Sequence, residues 1–179
     1  KFLITQSVKL MSKALPDGRI MKELSGFIGS STLKDKKRRS FIIRGKTDIV
    51  IEFKTKPKKY GIIDLKTTNI NPSKIENYKL QLEAYATIFE KPNSKTLKLS
   101  NIEELGLYLF EPKEITNISN KDCNMKFETL YLKGNRCHDE LMNRVTDIID
   151  ILLMPNPPEY NFACASCKFV TSLKQEKYI

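Results

Sequence analysis

A chain of 179 residues is long enough for one well-buried domain and short for two. Lys and Arg number 31 against 21 acidic residues, and the net charge of +10 favours a polyanionic partner, because neutralising phosphates releases counterions. No stretch approaches the roughly 18 uninterrupted apolar residues of a membrane span, and four Cys in a chain of this size do not suggest a secreted disulfide framework.

The start, Lys1-Phe2-Leu3-Ile4, has no initiator Met and no signal-peptide design, and reads as the interior of a longer chain. The expected location is intracellular: cytoplasmic in a prokaryote or virus, otherwise a nucleic-acid-containing compartment. Residues 1–37 read as an N-terminal helical part. Val8, Met11 and Leu15 share one helical face, Pro16-Asp17-Gly18 breaks it, and Met21, Leu24, Phe27 and Ile28 recur at helical spacing before Gly29. A basic cluster follows at Lys34, Lys36, Lys37, Arg38 and Arg39, and a second at Lys54, Lys56, Lys58 and Lys59. Each reads either as a phosphate-contacting patch or as a solvated lysine-rich surface.

Three strands come next, Ser40 to Arg44, Thr47 to Phe53 and Tyr60 to Thr67, and their short connections predict an antiparallel meander. Ser73 with Glu76 predicts a capping box opening a helix through Ile75, Tyr78, Leu82, Tyr85, Ala86 and Phe89, which stops near Pro92. Strands from Leu105 to Phe110 and Lys126 to Leu132 follow, then a helix from Asp139 through Leu152, and a Pro- and Cys-containing tail over 155–179. The order predicts an α/β sandwich with a mixed central sheet flanked by helices, a single domain with its core over 38–154.

The chemistry concentrates between Arg44 and Tyr85. Period two puts Asp64 and Lys66 on one side of a strand whose preceding residues, Ile62 and Ile63, are apolar, with Leu65 facing the other way. If the previous strand pairs antiparallel, Asp48 at its beginning reaches Asp64. Attack on a phosphodiester needs a cation on the phosphoryl oxygen and an activated water. Two carboxylates with the Leu65 carbonyl are suitable hard ligands for Mg2+ or Mn2+, and Lys66 is placed to orient the water and offset charge on the phosphate. Taken singly, Asp48 reads as a turn former and Asp64 with Lys66 as a same-face ion pair.

Gly45-Lys46-Thr47-Asp48, then Gly61-Ile62-Ile63-Asp64-Leu65-Lys66-Thr67, then Gln81-Leu82-Glu83-Ala84-Tyr85 together resemble the RecB-like branch of the PD-(D/E)XK nucleases. That branch includes RecB nuclease domains and CRISPR-associated RecB-like exonucleases. The resemblance implies a restriction-endonuclease-like αβββαβ core and a divalent-metal-dependent deoxyribonuclease. An exonuclease fits it best, leaving 5′-phosphate and 3′-hydroxyl ends on single-stranded or unwinding DNA, within a larger nucleic-acid-processing complex. Asp48, Asp64 and Lys66 would be catalytic. Gln81 and Tyr85, four apart on one helix face, would meet substrate, although Tyr85 also reads as a core aromatic. Thr67 and Lys54 join them as substrate-binding candidates. The family often adds an acid or His from the first helix; Glu23 is the early acidic candidate, since the single His, His138, lies far downstream. Many relatives hold an iron–sulfur cluster through a Cys-containing tail. Here the tail offers only Cys164 and Cys167 where a cluster wants four thiolates, so unliganded thiols are expected, with an iron–sulfur or zinc site as the alternative. The competing reading is a catalytically inactive nuclease-derived module that binds nucleic acid.

Overall fold

In a computed structural model of the chain, the described residues are 8, 13, 15–21, 24, 26–116, 118, 122–156, 158–159, 161 and 163–175. The element order is β1 (Gly18–Ile20), β2 (Gly26–Gly29), β3 (Leu33–Lys34), β4 (Ser40–Phe41), β5 (Arg44–Thr47), β6 (Ile49–Phe53), β7 (Tyr60–Thr67), α1 (Lys74–Glu90), β8 (Ile102–Thr116), β9 (Asn124–Gly134), α2 (His138–Leu152) and α3 (Ala165–Gln175). Residues 1–143 and 144–179 form two compact units.

The first unit is built on a curled five-stranded sheet in the order β1-β6-β7-β8-β9. β-Branched runs drive it: Ile49-Val50-Ile51 and Ile62-Ile63 favour pleated, buried backbone. β6 and β7 pair antiparallel with Ile49 opposite Ile63, and β7 and β8 pair parallel with Asp64 opposite Leu107. A parallel pair needs a long crossover, which α1 supplies. One sheet face packs Val50, Ile62 and Leu105 against Leu82, Ala86 and Phe89 of α1. The other gathers Ile49, Ile51, Phe53, Ile63 and Tyr108 with Val8 and Leu15. This is the mixed α/β, restriction-endonuclease-like plan expected from the motif order, with the first-helix region falling mostly outside the described residues.

Four local expectations are corrected. The helical reading of 1–37 fails in its described second half, which holds β1, β2 and β3. Met21, Leu24 and Ile28 sit at helical spacing, yet Phe27 is 91% exposed beside buried Ile28, the alternation of a strand. Ser40 to Arg44 splits: β4 pairs with β3 and β5 with β2, so only β6 and β7 of the expected meander lie in the central sheet, and β1 takes the edge beside β6. The capping box does not form. Ser73 is already in helical conformation and its hydroxyl donates to Asn71 Oδ1 at 2.8 Å, so Asn71 organises the turn instead. β8 and β9 run beyond the expected Phe110 and Lys126, and the tail contains α3.

α1 is tied down on its far side by a group that periodicity does not reveal. The Glu83 carboxylate is fully buried. It accepts Arg136 Nε and Nη2, each at 2.9 Å, and the Cys137 backbone N–H at 2.9 Å. Arg136 also bridges to Glu90 at 2.7 Å. A buried carboxylate is tolerated only with such partners, and removing it strands the donors. Glu83→Ala is therefore expected to cost about 2–4 kcal/mol in urea unfolding, while a loss within the scatter of surface substitutions contradicts this anchoring role.

Candidate active site at the end of β7

The site grows from strand register. With Ile49 opposite Ile63, the next positions outward are Asp48 and Asp64, where the β6–β7 ladder ends and β7 continues to Thr67 beside β8. Asp48 sits on the bend between β5 and β6, exposed, and its Oδ2 accepts the Leu65 N–H at 2.9 Å. That bond locks the bend to β7 and holds the Asp48 carboxylate beside that of Asp64.

Asp64 is only 2% exposed. Its Oδ1 accepts Gln81 Nε2 at 3.1 Å. Its Oδ2 is shut off from solvent and takes no aligned hydrogen bond; Lys66 Nζ is its ion-pair partner at 2.5 Å. The Gln81 amide also donates to the Tyr85 hydroxyl at 2.6 Å, so one side chain spans the carboxylate and the phenol. The Tyr85 ring reaches this position because Gly45 has no side chain: a Cβ there would lie 2.7 Å from the ring. The glycine in Gly45-Lys46-Thr47-Asp48 thus serves the packing of α1 on β5.

Burial pushes the Asp64 carboxyl above its ordinary range. Lys66 pulls it back down, the neighbouring Asp48 carboxylate raises it again, and the net direction is up. Burial works against the Lys66 ammonium, but the hydrogen bond and charge of Asp64 outweigh it and hold the amine above its ordinary value. Lys66 therefore stays protonated here, which suits a charge donor better than a base. Its Nζ also lies 5.1 Å from the Tyr78 ring centroid, a cation–π contact. Tyr78 was expected on the helix face but not at the site; its spacing with Gln81 and Tyr85, three and seven residues on, was the available signal. Tyr85 is raised by burial, against the lowering effect of Gln81.

The other candidates are scattered. Thr67 is exposed at the end of β7. Lys54 lies past the opposite end of β6 from Asp48, its ammonium 3.0 Å from Asp17 Oδ2, so it is not brought to these carboxylates. Glu23 lies outside the described residues. In the second unit, the Cys167 N–H points at Cys164 Sγ, 3.2 Å away, and the hydrogen bond from the Cys167 thiol lowers the Cys164 pKa while raising that of Cys167. In the first unit, Cys123 is exposed and the Cys137 thiol faces the Lys79 carbonyl at 3.6 Å. His138 opens α2, its Nδ1 3.6 Å from Glu83 Oε1. Among the described residues no three His, Cys, Asp or Glu side chains converge as a metal-binding group.

A family model described as the PD-(D/E)XK nuclease superfamily matches residues 13–172. The chain belongs to the PD-(D/E)XK nuclease superfamily. Nucleases of this superfamily hydrolyse phosphodiester bonds and generally use divalent metals such as Mg2+. A solved structure titled "Crystal structure of SSO0001" is similar at 15% identity and a TM-score of 0.45, covering 82% of this chain. This chain covers 58% of that structure's length. Comparison with curated proteins gives no match. No helix among the described residues is long and apolar enough to cross a membrane.

A carboxyl whose folded pKa is raised holds its proton more tightly folded than unfolded. Stability then falls as pH rises through the carboxylate range. In chelator, Asp64→Asn should therefore gain thermal stability relative to wild type as pH rises from about 3 to 6. A difference in melting temperature that does not change with pH contradicts the crowded-carboxylate description.

Proposed function

We propose that this nuclease cuts DNA with Asp48, Asp64 and Lys66, in the manner of the RecB-like branch, as an exonuclease on single-stranded or unwinding ends. The carrying observation is the convergence where the β6–β7 ladder ends: two carboxylates, one on the bend before β6 and one buried on β7 beside an ammonium and bridged by Gln81 to Tyr85. The three sequence motifs meet at one point, which is what a shared reaction would require of them.

The donor set suits a hard divalent cation. Asp64 Oδ2 is buried without an aligned hydrogen bond, and Asp48 supplies a second anionic oxygen beside it. Asp48, Asp64 and the Leu65 carbonyl would hold Mg2+ or Mn2+. Bound there, the ion supplies Lewis acidity toward a phosphoryl oxygen and lowers the pKa of a coordinated water. The protein's own groups do the rest. Lys66, kept charged, orients the attacking water and offsets negative charge growing on the phosphate. Gln81 fixes the Asp64 carboxylate, and Tyr85 lines the substrate side beside it. DNA as substrate, the exonuclease mode and a larger assembly around the chain belong to this proposal.

End-labelled single- and double-stranded DNA incubated with Mg2+ or Mn2+ tests it. Cleavage should vanish in chelator, and Asp64→Ala or Lys66→Ala should lower the rate by about 10²–10⁴-fold. Variants that cut like wild type refute the site, and binding without cutting under any metal favours the inactive-module reading.

A further inference from the structure

Beside α1, β2 and β5 form a separate antiparallel ribbon with Phe27 opposite Lys46 and Gly29 opposite Arg44. Its inner face, Ile28, Gly45 and Thr47, turns inward, and Gly45 meets Tyr85 and Ile88 of α1. Its outer face carries Phe27, Gly29, Arg44 and Lys46. Phe27 is 91% exposed, the most exposed large hydrophobic among the described residues. The Lys46 ammonium lies 5.9 Å from its ring centroid. Arg44, Lys46 and Lys95 are all exposed, and no described carboxylate pairs with any of them.

This face is grooved. A cleft of about 530 Å³ is lined by Phe27, Gly29, Arg44, Asn93, Lys95 and Thr96 among others. Its floor is built. The Gly29 N–H donates to Thr96 Oγ1 at 3.1 Å, the Asn93 N–H donates to the Gly29 carbonyl at 3.0 Å, and a Cβ on Gly29 would lie 2.6 Å from the Asn93 amide. An exposed aromatic face beside cations that no described carboxylate pairs is the arrangement that holds an unpaired nucleic-acid strand: bases stack on the ring and phosphates meet the cations. A duplex hides its base faces, and an acidic peptide matches the charge but has nothing to lay on Phe27. Location adds to this. β5 runs straight into Asp48, so Lys46 and Arg44 lie about 7 and 13 Å back along the strand from it.

We propose that the outer face of the β2–β5 ribbon binds an unpaired stretch of nucleic acid. Phe27 stacks on a base, and Arg44, Lys46 and Lys95 hold phosphates of a strand leading toward Asp48 and Asp64. The inference rests on the nuclease reading for its direction, and its test separates the two. Fluorescence anisotropy in chelator, on the full chain, measures binding of an oligothymidylate of about 16 nucleotides, of a blunt duplex of equal length and of poly-glutamate. Phe27→Ala should weaken oligothymidylate binding about tenfold and leave duplex binding unchanged, and Phe27→Trp should restore it. Arg44→Ala with Lys46→Ala should weaken binding and lower its salt slope by roughly 0.7 per cation removed. Phe27 is solvent-exposed, so its truncation leaves the fold intact, which circular dichroism checks. Oligothymidylate binding unchanged in Phe27→Ala overturns the proposal, as does poly-glutamate binding as tight as oligothymidylate. Cleavage by wild type alongside an inert Phe27 leaves the catalytic reading standing and this surface refuted. A Phe27-dependent binder that never cuts gives the reverse.

Discussion

The structure depends on one costly placement: a carboxylate buried on a central strand with a second carboxylate next to it. Asp64 cannot sit there on packing alone, because a desolvated anion beside another anion is unfavourable. It is held by the Lys66 ammonium, two residues along the same strand, and by the Gln81 amide from the crossover helix. The Gln81 contact needs α1 in one position relative to β7. The apolar face of α1, the missing side chain at Gly45 and the Glu83–Arg136 anchor all serve that end. Structural proteins seldom retain such an arrangement, since an apolar replacement is often no less stable.

Much of this was legible in the sequence because it is local or periodic. Alternation puts Asp64 and Lys66 on one side of a strand, and a four-residue step puts Gln81 and Tyr85 on one side of a helix. Asp48 needed one long-range assumption, the antiparallel pairing of β6 and β7, which the short connection between them makes the natural choice. The parts that misled have physical reasons. Met21, Leu24 and Ile28 fit a helical period, but the glycines at 18, 26 and 29 punctuate strands of three or four residues, too short to establish a period of their own. Asn71 took the turn assigned to Ser73. Lys54 is a substrate-binding candidate from sequence, yet it lies at the far end of the strand that begins beside Asp48.

What sequence could not supply is contact across distance. Glu83 reads as a polar interruption on α1 until Arg136, 53 residues later, closes on it. Phe27 reads as core on a helix until the ribbon turns it outward against Lys46. The two cases are complementary. One is a charge that folding buries, and it holds the site rigid. The other is an aromatic ring that folding exposes, on the face from which β5 enters the site.

Asp48 and Asp64 are proposed to hold one divalent ion between them. Crystals grown with Mn2+ and measured at the manganese absorption edge test it directly. The expected result is an anomalous peak in contact with both carboxylates, abolished by Asp64→Ala. A peak seated elsewhere on the chain, or one that survives the loss of Asp64, contradicts it.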